Sequence, residues 1–325
     1  MSNLEEAPPE IVGEPEQKHD SALEMLEPRD VPLGGPRAMT VRRTLPQRRR
    51  SLIGAWCFVD HYGPDLVRLE GGMVVPPHPH TGLQTVSWLF AGEIVHRDSV
   101  GSHAGVRPGE LNLMTAGRGI SHSEVSTGET TVLHGAQLWI ALPEGSRAGE
   151  PHFEHYAPAP VEVDGAVARV FLGSLLGSTS PARTYSPVVG AQLDLAPGAV
   201  LELPVDPAFE HGVLLDAGGV SVDGEDVERS HLAYRAAGSS ALRLVAGDSG
   251  ARLLLIGGTP FGEQIIMWWN FIGRTHEEIV GFRDEWQADV VGGASTSGRF
   301  GEVAGYDGRP LPAPELPNVR LRLRG

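Results

Sequence analysis

Apolar residues in this chain come in short runs that alternate with polar ones or break early, and few follow a helical period. Thr85-Val86-Ser87-Trp88-Leu89-Phe90 runs into Ala91-Gly92, and Leu133-His134-Gly135-Ala136-Gln137-Leu138-Trp139-Ile140 has the same character. Segments of this kind, interrupted roughly every 8 to 12 residues by Gly, Pro, Asp or Asn, read as strands of an all-β sandwich or barrel. One series begins around Ala38-Met39-Thr40-Val41 and recurs to about Pro143. A second runs from Val167-Ala168-Arg169-Val170-Phe171 to Leu253-Leu254-Leu255-Ile256, and Glu144 to Glu150 reads as the connector between them. The pattern predicts two tandem β domains, residues 29–150 and 151–325, behind an acidic, Pro-rich tail over 1–28 that is expected to be mobile.

Two further patterns refine this picture. Ser87 to Val95 echoes Gly212 to Val220, each an apolar strand that ends in a Gly turn, so the second half reads as a copy of the scaffold. Near the end, Thr275-His276-Glu277-Glu278 has the form of a capping box, and Ile279, Phe282 and Trp286 follow on one helical face. A short C-terminal helix is expected there, with His276 exposed in its first turn and without chemistry.

Composition narrows the function classes. The net charge of −15 argues against direct nucleic-acid binding, which rests on neutralising phosphates. The local exception is Arg42-Arg43 with Arg48-Arg49-Arg50, read either as solvated arginines on an early strand and its turn or as a docking patch for an acidic partner. No stretch approaches the ~18 to 20 apolar residues of a membrane-spanning helix. The acidic start is the opposite of a secretory signal, and the single cysteine, Cys57, excludes an internal disulfide framework and fits a reducing cytoplasm.

The candidate chemistry lies in two pairs, His78-Pro79-His80 and His122-Ser123-Glu124. Positions i and i+2 of a strand share a face, so each pair projects both side chains together. Two such strands facing each other across a sandwich or barrel would bring three imidazoles and a carboxylate to one point. That donor set suits Fe(II), Mn(II), Co(II) or Ni(II) with positions left open, while raw affinity favours Cu or Zn. The second half has no matching pair, so one metal per chain is expected. His96 and His103 lie between the pairs and are read as polar residues or cavity lining, and His61 as a turn residue with structural hydrogen bonds.

Gly72, His78 and His80 resemble the general cupin pattern of a Gly, five residues, His-x-His and then a Glu, except that Gln84 stands at the carboxylate position. Glu124 supplies the missing charge, leaving Gln84 to orient a ligand imidazole or meet substrate. The chain resembles the pirin family of bicupins in Phe58-Val59-Asp60-His61-Tyr62-Gly63-Pro64 and in His78-Pro79-His80-Thr81-Gly82-Leu83-Gln84-Thr85-Val86. It does so most of all in Met114-Thr115-Ala116-Gly117-Arg118-Gly119-Ile120-Ser121-His122-Ser123-Glu124, continued by Gln137-Leu138-Trp139-Ile140-Ala141-Leu142-Pro143. The likeness spans roughly 38 to 260. It implies two tandem cupin (jelly-roll β-barrel) domains, with one iron held in the first by His78, His80, His122 and Glu124.

The resemblance also implies an activity. Several pirins resemble flavonol dioxygenases in activity, so a quercetin 2,3-dioxygenase-type reaction is expected, with a flavonol and dioxygen as substrates and Glu124 as the general base for the flavonol 3-hydroxyl. Trp88, Phe90 and Met114 are candidate walls for the aromatic ligand, though each fits the core better than a pocket. Pirins are also transcription co-regulators and modulators of metabolic enzymes. The alternative reading is therefore a non-enzymatic, iron-dependent regulator acting through a protein partner, with the arginine cluster at 42–50 as the docking candidate. A cupin isomerase or sugar-binding protein fits the Gly-Arg-Gly-Ile-x-His-x-Glu loop less well.

Overall fold

Strand follows strand for most of the chain, as the alternating pattern requires. The computed structural model describes residues 23–33, 39–67 and 72–325. In chain order the first half carries β1 (Glu24–Leu26), β2 (Arg29–Leu33), β3 (Met39–Leu45), β4 (Trp56–Leu66), β5 (Val74–His80) and β6 (Leu83–Ala91). It continues with β7 (Ile94–Asp98), β8 (His103–Val106), β9 (Leu111–Thr115), β10 (Ile120–Ser126), β11 (Val132–Ala141) and β12 (His152–Tyr156). The second half carries β13 (Val161–Val163), β14 (Ala166–Leu172), β15 (Ser174–Leu175), β16 (Ser178–Thr179), β17 (Val188–Leu195) and β18 (Val200–Pro204). After these come β19 (Glu210–Val222), β20 (Glu225–Val227), β21 (Leu232–Arg235), β22 (Ala241–Gly258), β23 (Ile266–Trp268), β24 (Phe271–Gly273) and helix α1 (His276–Trp286).

Two sheet paths have the same order of places. One runs β12-β9-β6-β11-β4-β3-β2 and the other β1-β21-β19-β22-β17-β14-β13. β6 and β19, which carry the sequence echo, hold the same third place. The first half has in addition a separate four-stranded sheet, β5-β10-β7-β8. Its Val75, Ile94 and Val106 pack with Val41, Tyr62, Leu89 and Leu133 of the large sheet to fill the space between the two layers.

The two large sheets meet face to face. Trp56, Val86, Trp88, Leu138 and Ile140 of the first pack with Phe171, Leu214, Leu254 and Ile256 of the second. This burial on both faces is why β6 and β11 read as nearly continuous apolar runs. Polar groups caught in the interface find partners across it: Trp56 Nε1 donates to Gly257 O at 3.0 Å and Trp88 Nε1 to Gln192 Oε1 at 2.9 Å. The approach is tightest at Gly54, where a Cβ would lie 2.7 Å from Gly258 Cα.

Both chain ends cross between the halves, which corrects the boundaries read from the sequence. Most of the expected tail lies outside the described residues, but its end is structured: Glu24–Leu26 pairs with Leu232–Tyr234 at the edge of the second sheet. β12, placed after the expected boundary at 150, pairs with β9 in the first sheet. Residues beyond β22 return to the first half, where Thr81 bridges Phe271 and Pro77 O accepts from Leu311 N at 2.8 Å. There α1 forms as expected, capped by Thr275 and burying Ile279 and Trp286.

The arginine cluster is largely consumed by the fold. Arg43 makes a buried bidentate pair with Asp60, at 2.6 and 2.8 Å. Arg42 donates to Gly63 O, and Arg50 stacks over the Tyr234 ring at 3.4 Å while pairing with Glu24. Only Arg48 and Arg49 of the five are exposed, so the docking patch read from the sequence does not exist as a patch.

Glu210 joins three segments at the interface, since Oε2 accepts from Gly54 N at 2.6 Å and Oε1 from Tyr234 OH at 2.9 Å. Removing it strands two buried donors, each costing about 1–3 kcal/mol. Glu210→Ala is expected to lower unfolding stability in urea by about 2–4 kcal/mol; a loss under about 0.5 kcal/mol would show that water serves both donors equally well.

Candidate metal centre

His78, His80 and His122 come together, with Glu124 beside His122, but by a different route from facing strands. β5 and β10 are hydrogen-bonded neighbours in the four-stranded sheet, with His122 directly opposite His78 and Ile120 opposite His80. On its other edge β10 pairs with β7, placing His122 opposite Asp98 and Glu124 opposite His96. Residues opposite one another share a face, so His78, His80, His122, Glu124, His96 and Asp98 all project from one side of one sheet. His78, His80 and His122 offer ligand atoms within 4.8 Å of one another, and so do His96, His122 and Glu124. The turn that leads into β10 depends on Gly117, where a Cβ would lie only 2.1 Å from Gly149 O.

A β-bulge sharpens the geometry. Between His122 and Glu124 the partner register jumps from His78 to Val75, leaving Pro76 and Pro77 out of the ladder. Proline has no N–H to lose there, so the bulge suits the residues it holds. It also turns the Pro76 carbonyl toward His78, whose Nδ1 lies 2.8 Å from it. His80 Nδ1 lies 3.1 Å from Asn270 O, in the segment that returns from the second half. A carbonyl only accepts, so in both rings Nδ1 carries the proton and the neutral ring turns Nε2 inward.

His122 reaches the same state through a chain of side chains. Asp98 Oδ1 is held by Val100 N and Ser102 N, and Oδ2 lies 3.0 Å from His96 Nε2. With its Nε2 facing that carboxylate, His96 turns Nδ1 to His122 Nδ1, 3.3 Å away, and accepts the His122 proton there. His122 Nε2 is then unprotonated and faces His80 Nε2 at 3.1 Å. Two ring nitrogens with lone pairs aimed at each other repel unless a cation lies between them. Burial drives all three rings toward the neutral form a metal requires: His78 is lowered to about 4, and His80 and His122 fall well below 6.5. The donor set and its orientation therefore fit a divalent metal.

The large sheet supplies the surroundings. Ser87 Oγ donates to Glu124 Oε1 at 3.2 Å and also contacts Gln137 Oε1 at 3.0 Å. Trp139 packs T-shaped against the His80 ring, with centroids 5.1 Å apart, and stacks on Phe58 with centroids 4.0 Å apart. Tyr62 OH, Gln137 Nε2 and Trp139 Nε1 are buried with no hydrogen-bond partner among the described residues. Burial, then the charge of Glu124, holds the Tyr62 phenol well above 10, so it stays a donor.

Several sequence expectations are corrected by strand parity. Gln84 lies on the opposite face of β6 from Ser87, donating to Thr115 Oγ1 at 2.8 Å and Arg183 O at 2.9 Å, so it neither orients a ligand imidazole nor lines the metal side. Trp88 belongs to the interface core and Phe90 packs against it. Met114 sits with Phe58, Ile120 and Trp139 on the metal side, and is the one expected wall that faces it. His103 is exposed, and His61 lies mid-strand in β4, buried, where a turn was expected. Sequence reasoning passed over Asp98; the His96-x-Asp98 spacing, the same i, i+2 signal as the ligand pairs, could have found it.

Known proteins share this arrangement of sheets. Residues 38–140 match the Pirin family and residues 190–292 match the Pirin C-terminal cupin domain. A Pseudomonas aeruginosa protein named putative quercetin 2,3-dioxygenase is 42% identical over 302 residues, covering 93% of each chain. A pirin-like protein of Caulobacter vibrioides is 36% identical over 76% of this chain and 88% of its own. Among solved structures, a quercetin 2,3-dioxygenase from Acinetobacter baumannii superposes with a TM-score of 0.86 at 39% identity, over 93% of this chain and 97% of the other. A bacterial pirin from Escherichia coli in complex with nickel(II) shares the fold, with a TM-score of 0.58 at 18% identity over 74% of this chain and all of its own. Two cupin domains in tandem, matched along nearly the whole chain by such relatives, make this protein a member of the pirin family.

Proposed function

We propose that His78, His80, His122 and Glu124 hold one divalent metal, Fe(II) in the working enzyme, and that the chain cleaves flavonols with dioxygen in a quercetin 2,3-dioxygenase-type reaction. The observation that carries the metal is the convergence of three Nε2 atoms whose Nδ1 protons are each committed elsewhere. The names of the Pseudomonas and Acinetobacter relatives support the substrate class. A redox-active cation with open positions supplies a Lewis acid for the flavonol 3-hydroxyl and a means of engaging dioxygen.

The chain's own groups supply the rest. Glu124 accepts the 3-hydroxyl proton, and Ser87 holds its Oε1 in place for the transfer. Trp139, Phe58 and Met114 give the aromatic ligand an apolar wall. Tyr62 OH, Gln137 Nε2 and Trp139 Nε1 are donors for flavonol oxygens on the same side. Overall, one flavonol and one dioxygen give one depside and one carbon monoxide, so every atom is placed. The regulatory reading has less support, because three of the five arginines it relied on, Arg42, Arg43 and Arg50, are built into the fold.

Two outcomes test these assignments. Protein purified anaerobically and loaded with Fe(II) should consume oxygen and release carbon monoxide one for one with quercetin, with Glu124→Ala slower by about 10²–10⁴-fold. Oxygen uptake no faster than in that variant would end the dioxygenase reading. His96→Leu cuts the chain from Asp98 to His122 and should weaken metal binding by about 10–100-fold in a chelator competition, with the melting temperature of the metal-free protein as control. Unchanged affinity would show that His122 is oriented without His96.

A further inference from the structure

A second cluster of ligand-type side chains lies where the two halves meet. His61 on β4, His134 on β11 and Asp216 on β19 are buried, and their ligand atoms lie within 4.8 Å of one another. The first two come from one large sheet and the third from the other. Neither the flavonol reaction nor its metal uses them.

Three local irregularities aim these groups at one point. Around His134 the register of β11 shifts against both β4 and β6. On β19 the shift falls between Leu215 and Ala217, so Asp216 is the bulged residue. Bulges of this kind re-aim a side chain at a site. The third irregularity is Ser230, a non-glycine residue at φ +67°, whose Oγ lies 2.9 Å from His61 Nδ1. A side chain seldom adopts that backbone conformation without a reason.

The contacts resemble a metal centre with its outer partners in place. Asp216 Oδ1 lies 2.7 Å from His61 Nε2 and 2.5 Å from His134 Nε2. One carboxylate oxygen thus faces two imidazole nitrogens at close range, and of the two only the His61 contact has the geometry of a regular hydrogen bond. A cation at the meeting point satisfies that oxygen and both nitrogens. Ser230 occupies the far nitrogen of His61, and Arg252 Nε takes the other Asp216 oxygen at 2.5 Å, as outer groups do around ligating His and Asp. Phe90 closes the site, with its ring 4.9 Å from that of His134.

We propose that His61, His134 and Asp216 form a second divalent-metal site, of the two-histidine, one-carboxylate type suited to Zn(II), which ties the two cupin domains together. The second domain thus contributes one ligand to a shared metal although it has no ligand pair of its own. Two nitrogens and one oxygen leave a fourth tetrahedral position for water.

The test removes the first site and asks what is left. His80→Ala/His122→Ala protein, dialysed against micromolar free Zn(II), should retain about one zinc per chain and should give the visible bands of a four-coordinate ion with Co(II). Adding His134→Gln or Asp216→Asn should abolish both signals while circular dichroism stays unchanged. If the His80→Ala/His122→Ala protein binds neither ion, the cluster is a hydrogen-bonded latch and the proposal is wrong. It is also wrong if the zinc survives His134→Gln. The second equivalent of Co(II) added to the unmutated chain gives an independent reading, since its absence would overturn the proposal without any variant having to fold. Neither result depends on flavonol turnover.

Discussion

Where three protons sit decides what the centre of this protein can do. An imidazole ligates only through a nitrogen that carries no proton, and burial keeps these rings neutral without choosing which nitrogen that is. The choice is made by the Pro76 carbonyl for His78, by the Asn270 carbonyl for His80 and by the Asp98–His96 chain for His122. The first acceptor is exposed by a bulge, the second is brought by the C-terminal segment, and the third lies one strand over in the same sheet. Each depends on a different part of the fold being in place.

That dependence gives the return of the C-terminal segment a meaning beyond packing. Residues after β22 bring Asn270 to His80 and Phe300 O to Ser121 Oγ, next to His122, and seat Trp286 against Phe300. The N-terminal strand makes the reciprocal crossing, extending the second sheet at β21. The two halves are thus linked by a shared apolar face and by an exchange of ends. A site built from the first half alone would lack the acceptor that orients His80.

Much of this was legible in the chain. Strand alternation, the echo of β6 in β19, the helix with its Thr275 cap and the four candidate ligands all rest on local spacing, which survives in the structure. What local spacing does not carry is which strands become neighbours. His78 and His122 lie side by side in one sheet, and no count of residues distinguishes that from facing strands. Gln84 was misread for a related reason: the family pattern supplied a position, but strand parity sends that position to the other face. Arg43 and Arg50 look like surface charge because their partners, Asp60 and Tyr234, are distant in sequence. His61 reads as a turn residue for the same reason, since the carboxylate it shares with His134, that of Asp216, lies in the other half of the chain.

The most direct measurement is the X-ray absorption spectrum of the Fe(II)-loaded His61→Gln/His134→Gln variant, which retains the proposed ligands His78, His80, His122 and Glu124. Three imidazole nitrogens and at least one carboxylate oxygen are expected around a single iron, with one imidazole fewer in the further His122→Ala variant. An iron environment with fewer than three imidazoles, or one that His122→Ala leaves unaltered, would contradict that assignment of ligands.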